Sequence, residues 1–245
     1  MENEQTMISV ENVSMRFNLS KDKIMGLKEY VIKSLNRQIY FEEFWALKDV
    51  SFEVNRGEVF GVMGLNGAGK STLLKIIARV YKPTLGAVSV RGELAPLLEL
   101  GAGFDPEFSA RDNIYMNGAM FGHPPKYMDE KYEEIIDFAE LREFEDVAIK
   151  NYSSGMTARL GFAVATSVQP DVLIADEILG VGDYKFQAKC KERIFGMIGR
   201  GATVLLTSHN ETQIKSMCSR AILLRKGEVA CVGDAAEVCD VYKEA

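Results

Sequence analysis

Residues Gly64-Leu65-Asn66-Gly67-Ala68-Gly69-Lys70-Ser71 constrain this chain more than any other stretch. They fit the pattern G-x-x-x-x-G-K-[ST], follow the apolar run Glu58 to Met63, and open a periodic apolar segment from about Lys70 to Val80. A buried strand that passes through glycines into a helix is the context that gives this pattern meaning. Glycines let successive backbone N–H groups curl round a phosphate. The helix start adds unpaired donors and a partial positive charge. Lys70 then reaches the outer phosphates, and Ser71 offers its hydroxyl to Mg²⁺, which keeps most of its waters. The phosphate-binding set is Gly64, Asn66, Gly67, Ala68, Gly69, Lys70, Ser71 and Thr72.

The rest of the chain reads as an α/β arrangement. Met7 to Phe17 and Ala46 to Val54 alternate as strands, and Val88 to Arg91 is another short one. Later, the apolar runs Asp171 to Ala175, Thr203 to Thr207 and Ala221 to Leu224 are separated by helical patterns at Tyr184 to Ile198 and Asn210 to Met217. Short buried strands alternating with helices predict a mostly parallel sheet covered on both faces. The N-terminal strands lack such helices and predict an antiparallel edge. From about 100 to 169 the patterns are helical (Ala110 to Phe121, Lys126 to Glu140, Gly155 to Ser167), which predicts a helical lobe. One phosphate loop means one nucleotide domain over 1–245, with its core formed by about 1–99 and 170–245.

Two acids end the apolar strand at Asp176-Glu177. An acid at the end of a buried strand beside a phosphate loop supplies the second metal contact. Its neighbour Glu177 is placed to orient or deprotonate an attacking water; otherwise both acids cap the following helix. His209 follows the next apolar strand, at the sheet end that faces a ligand crevice. His123, before Pro124-Pro125, reads as a loop histidine.

Charge and hydropathy bear on partners. A net charge of −6 and a pI near 5.2 argue against nucleic acid, whose phosphates need clustered Lys and Arg. No apolar run approaches the roughly 20 residues of a membrane span. The acidic start lacks the form of a secretory signal, so the expectation is a cytoplasmic protein with a peripheral membrane role. Cys190, Cys218, Cys231 and Cys239 fit no metal or redox spacing and read as buried apolar residues.

Tyr152-Ser153-Ser154-Gly155-Met156 lies between the phosphate loop and Asp176-Glu177, just before a helix. It resembles the signature of ABC ATPases, usually Leu-Ser-Gly-Gly-Gln. With the phosphate loop, Asp176-Glu177 and His209 it falls in that family's order, and the resemblance covers nearly the whole chain. Arg159 matches the arginine after the signature, and Asp183 the aspartate that meets a partner subunit. The resemblance implies ATP and Mg²⁺ as ligands, with catalytic roles for Lys70, Glu177 and His209, and Ser71 and Asp176 at the metal. It implies a head-to-tail homodimer in which Ser153, Ser154 and Gly155 bind ATP held by the other copy. It also implies an integral membrane permease, docked in the groove from Leu100 to Phe108 at the cytoplasmic face of the plasma membrane.

The variant signature, with Leu98-Glu99-Leu100-Gly101-Ala102-Gly103-Phe104 and the run Asp176 to Asp183, is similar to ATPases that export O-antigen, capsule or teichoic acid. So is the insertion at 18–44. There, Ile24, Leu27, Val31 and Leu35 fall at helical spacing among Lys21, Lys23, Lys28, Lys33 and Arg37. That basic amphipathic helix meets either a membrane surface or the channel mouth, or else packs on its own domain. Glu99 stands where the family carries a metal-contacting glutamine. The ring that stacks on adenine is Phe17 or Trp45. The alternatives to export of a glycan are an ATP switch without transport, or a motor for another cargo.

Overall fold

The computed structural model describes residues 5–20, 41–98, 100–176 and 182–243. Strands β1 (Thr6–Ser20), β2 (Phe41–Asn55) and β4 (Leu85–Val90) form an antiparallel sheet in the order β2-β1-β4. Strand β3 (Val59–Met63) belongs to a second sheet with β5 (Leu94–Leu97), β6 (Val172–Asp176), β7 (Thr203–Thr207), β8 (Arg220–Arg225) and β9 (Glu228–Asp234), in the order β5-β6-β7-β3-β8-β9. All its pairings are parallel except β8 with β9. The mostly parallel sheet, the antiparallel N-terminal strands and the helices expected from the sequence are thus present. The N-terminal strands form a sheet of their own, and the antiparallel edge of the main sheet is β9.

Period-two alternation explains how one sheet serves two cores. Phe60 and Val62 of β3, Ile174 of β6 and Leu205 of β7 face the antiparallel sheet and helix α1 (Lys70–Ile77), whose Leu73, Leu74 and Ile77 are fully buried. Val59, Met63, Leu173 and Leu206 face the other way, onto α5 (Tyr184–Gly199), α6 (Glu211–Met217) and α7 (Ala235–Lys243). Covering both faces leaves β3 and β7 buried at every residue, so they read as unbroken apolar runs.

Strands β5 and β9 lie at the two sheet edges, and the sequence reading missed both. β5 contains Pro96, tolerated on an edge because no neighbour needs its missing N–H. β9 alternates half-buried with exposed residues and carries too little apolar signal.

Helices α2 (Ala110–Met120), α3 (Pro125–Ala139) and α4 (Ser154–Ala165) lie between β5 and β6 and bury Ile114, Ile135, Ile136 and Leu160 against one another. Ser109 and Asp112 close a reciprocal capping box at the start of α2. α3 starts on Pro125 and stops at Glu140, whose backbone is left-handed. The β1–β2 ladder continues past Phe17↔Phe44 to Ser20↔Phe41, so both flanks of the expected 18–44 insertion are strand. The amphipathic helix expected at Lys21 to Arg37 lies outside the described residues. All four cysteines are free, and burial pushes the Cys190 and Cys218 thiols up to about 12.

Candidate functional site

The phosphate loop joins β3 to α1 at the C-terminal end of the parallel strands. Lys70 is buried, and its Nζ donates to the Gly64 carbonyl at 2.7 Å and the Leu65 carbonyl at 3.2 Å. The ammonium is therefore held in the concavity of its own loop. Gly69 precedes α1 with φ of 106°, and no side chain caps the helix. The first N–H groups of α1 are thus left for a ligand. A Cβ on Gly69 would lie 2.7 Å from the Ala46 carbonyl oxygen, so only glycine fits there.

Asn66 to Thr72 line one cleft together with Phe44, Ala46 and Asp176. The Ser71 hydroxyl lies 3.4 Å from Asp176 Oδ2. The other Asp176 oxygen accepts a short hydrogen bond from the Thr207 hydroxyl, on the neighbouring strand. Thr207 was not anticipated; its signal was a hydroxyl ending a buried apolar run. Ser71 and Asp176 form a hard-oxygen pair at the cleft mouth, a donor set that suits a small divalent cation. Among the described residues no group of three or more His, Cys, Asp or Glu side chains is placed to hold a metal ion.

His209 is exposed, two residues beyond Thr207 in the turn to α6, and is not among the residues lining the cleft. Glu177 and Glu99 lie outside the described residues.

The sequence offered Phe17 or Trp45 as the ring for adenine; the cleft itself is lined by a third aromatic residue, Phe44. Phe44 lines the phosphate cleft and is 48 % exposed. Phe17 sits directly opposite it in the β1–β2 ladder, half-buried, with its ring edge-on to Tyr81 at 5.9 Å. Trp45 alternates to the other side of β2, where the Arg16 guanidinium lies over it at 5.7 Å. The one clue to Phe44 in the sequence was its place two residues before Ala46 on an alternating strand.

Ser153 caps α4, its hydroxyl accepting the Met156 N–H at 3.2 Å. Ser154 is exposed on the first turn. Ser153, Gly155 and Met156 line a second cleft with Glu140, Arg159 and Asp183. Arg159 pairs with Glu140 at 2.9 Å and with Asp183 through a short contact. Asp183 also caps α5, and the Phe186 N–H, reinforced by Arg159, holds its carboxyl below the usual range. A hydrogen bond from Lys189 does the same for Glu140. The two clefts share no lining residue.

A family model described as "ABC transporter" matches residues 47–180, more than half of the chain. The chain belongs to the ABC transporter family. The O-antigen export system ATP-binding protein RfbB of Klebsiella pneumoniae is 42 % identical over 97 % of this chain and 98 % of its own. The teichoic acids export ATP-binding protein TagH of Listeria monocytogenes is 39 % identical over 97 % of this chain and 70 % of its own. The fold matches a dimeric ATP-binding cassette solved in a post-hydrolysis state with ADP and Pi. The TM-score is 0.73 at 22 % identity, over 94 % of this chain and 99 % of that one. As an ABC-type ATPase the chain binds nucleotide. Among its described residues no helix is long and apolar enough to cross a membrane.

Proposed function

We propose that this chain powers export of a polysaccharide or lipid-linked glycan, as a head-to-tail homodimer beneath an integral membrane permease at the cytoplasmic face of the plasma membrane. The separation of the two clefts carries the dimer reading. Lys70, Ser71 and Asp176 share one cleft, and the exposed start of α4 belongs to another. The start of α4 is an anion site that the nucleotide of a second copy fills. The cargo class rests on RfbB and TagH, whose names carry O-antigen and teichoic acid export and whose identity runs through 97 % of this chain. The groove from Leu100 to Phe108 receives the permease; Phe108, Met120 and Phe121 supply exposed apolar surface beside it.

In this reading Lys70 and the first N–H groups of α1 hold the β- and γ-phosphates. Ser71 and Asp176 hold Mg²⁺, which neutralises charge on the phosphates when bound. Thr207 keeps Asp176 turned toward Ser71. Phe44, with Phe17 opposite, forms the wall against which adenine stacks. Glu177 takes a proton from the attacking water, and His209 contacts the γ-phosphate once the halves close. Ser153, Ser154 and Gly155 bind the γ-phosphate of the other copy's ATP. Losing that phosphate on hydrolysis lets the halves part.

The test compares wild type with Glu177→Gln, following ATP hydrolysis and ATP-dependent dimerisation by size exclusion. The expected result is loss of hydrolysis with an accumulated ATP-bound dimer. Normal hydrolysis in the variant would refute the assignment of Glu177. For the cargo, ATPase of the complex with its copurifying membrane protein should rise on adding lipid-linked polysaccharide; no rise leaves the motor and removes the glycan.

A further inference from the structure

The turn between β8 and β9 is far in sequence from the phosphate loop and is built against its back. It is a two-residue turn, Lys226-Gly227, with φ of 51° and 84°. Turns with two positive φ values suit the twist of a hairpin and favour glycine. Its backbone is committed outside the hairpin. The Gly227 N–H donates to the Ala68 carbonyl inside the phosphate loop at 3.0 Å, and the Gly227 carbonyl accepts the Lys48 N–H of β2 at 2.8 Å. Lys48 Nζ pairs with Glu228 at 3.0 Å over the same joint. Two residues before the turn, the Leu224 carbonyl lies 2.6 Å from where a Cβ on Gly64 would stand.

The decisive contact is steric. The Ala46 carbonyl oxygen lies 2.7 Å from the Cβ position of Gly69 and 2.6 Å from the Cβ position of Gly227. One rigid oxygen is held between two glycines. One of them ends the phosphate loop, and the other forms the hairpin turn. Ala46 itself lines the nucleotide cleft beside Phe44. A Cβ at Gly227 would push this oxygen toward Gly69, and with it the helix start that supplies the phosphate donors.

We propose that Gly227 is a positioning residue for ATP binding: the hairpin turn sets where the phosphate loop and the Phe44–Ala46 strand stand relative to each other. It touches no substrate. The loop holds phosphate before and during reaction, so displacing it removes binding common to both states. That raises KM and leaves kcat largely unchanged.

The test is Gly227→Ala against Gly201→Ala. Gly201 also has positive φ, 93°, with no atom within 4 Å of its Cβ position. It therefore reproduces the backbone strain without a push on the loop. In Gly227→Ala, KM for ATP and the Kd of a fluorescent ATP analogue should rise about tenfold, below the 10²-fold attached to a 1 Å misplacement, with kcat within about twofold. Gly201→Ala should melt at a lower temperature and keep both constants. Unchanged constants in Gly227→Ala, or an equal change in Gly201→Ala, would overturn the proposal. If Gly227→Ala does not fold, amide exchange on the wild type decides. Binding of a non-hydrolysable ATP analogue should slow exchange at Gly227 and leave the Ala202 amide unchanged, because only the first donates into the phosphate loop. No slowing at Gly227 would overturn the proposal equally.

Discussion

Ser153 caps a helix and is proposed to bind a partner's nucleotide, two roles that a single substitution can separate. Its hydroxyl caps α4 by accepting the Met156 N–H at 3.2 Å, and the proposed sandwich sets the same hydroxyl against the other copy's ATP. Ser153→Ala removes both, with about 1 kcal/mol lost from the cap alone. Ser153→Gly is the sharper variant, because glycine at this position costs only a few tenths of a kcal/mol. Ser153 is exposed, so no cavity or buried partner adds to that loss. Stability should therefore barely move. Turnover should fall about 10²- to 10³-fold, the effect of losing one donor to developing charge, or roughly 2.7–4 kcal/mol. The assay pairs urea unfolding with steady-state ATPase at saturating ATP and a protein concentration that supports dimers. A Ser153→Gly variant within about fivefold of wild-type turnover would refute the role in trans, since fivefold is about 1 kcal/mol and within reach of helix fraying.

Three further outcomes follow from the geometry. Asn113 is fully buried; its Nδ2 donates to the Asp105, Phe108 and Ser109 carbonyls, and its Oδ1 accepts the Asp105 N–H at 2.7 Å. Asn113→Ala strands those groups and should cost about 2–4 kcal/mol by denaturant unfolding. Phe44→Ala should raise the Kd of a fluorescent ATP analogue about tenfold if stacking contributes 1–3 kcal/mol, and Trp45→Ala should not. Acid sensitivity tracks Asp183 and Glu140, whose folded pKa values are depressed. Their contribution is present above the unfolded carboxylate range, near pH 4, and fades as pH falls through the folded values, so Lys189→Met, which removes the hydrogen bond that chiefly depresses Glu140, should flatten the stability profile below about pH 4.

Much of the molecule was legible because its signals are local. The glycines of the phosphate loop declare themselves by pattern, since only glycine adopts 106° next to the Ala46 carbonyl. The continuous apolar runs of β3, β6 and β7 announce a sheet covered on both faces, and the helix starts at Ser109 and Ser153 carry capping residues. The edge strands of the main sheet were not legible. β5 contains a proline and β9 keeps half of its residues in water, so neither shows the pattern of a buried strand.

What tertiary structure alone decided is which distant segments share a boundary. Phe44 joins the phosphate-loop cleft because the β1–β2 register sets it opposite Phe17 and on the face of Ala46, and a shift of one residue would have presented Trp45 instead. Thr207 meets Asp176 because β6 and β7 pair in parallel at that level. Gly227 meets Ala68 and Ala46 because β8 lies next to β3, which brings the hairpin turn behind the phosphate loop. Local preference sets a residue's conformation; strand order and register set its neighbours, and those depend on the whole chain packing at once.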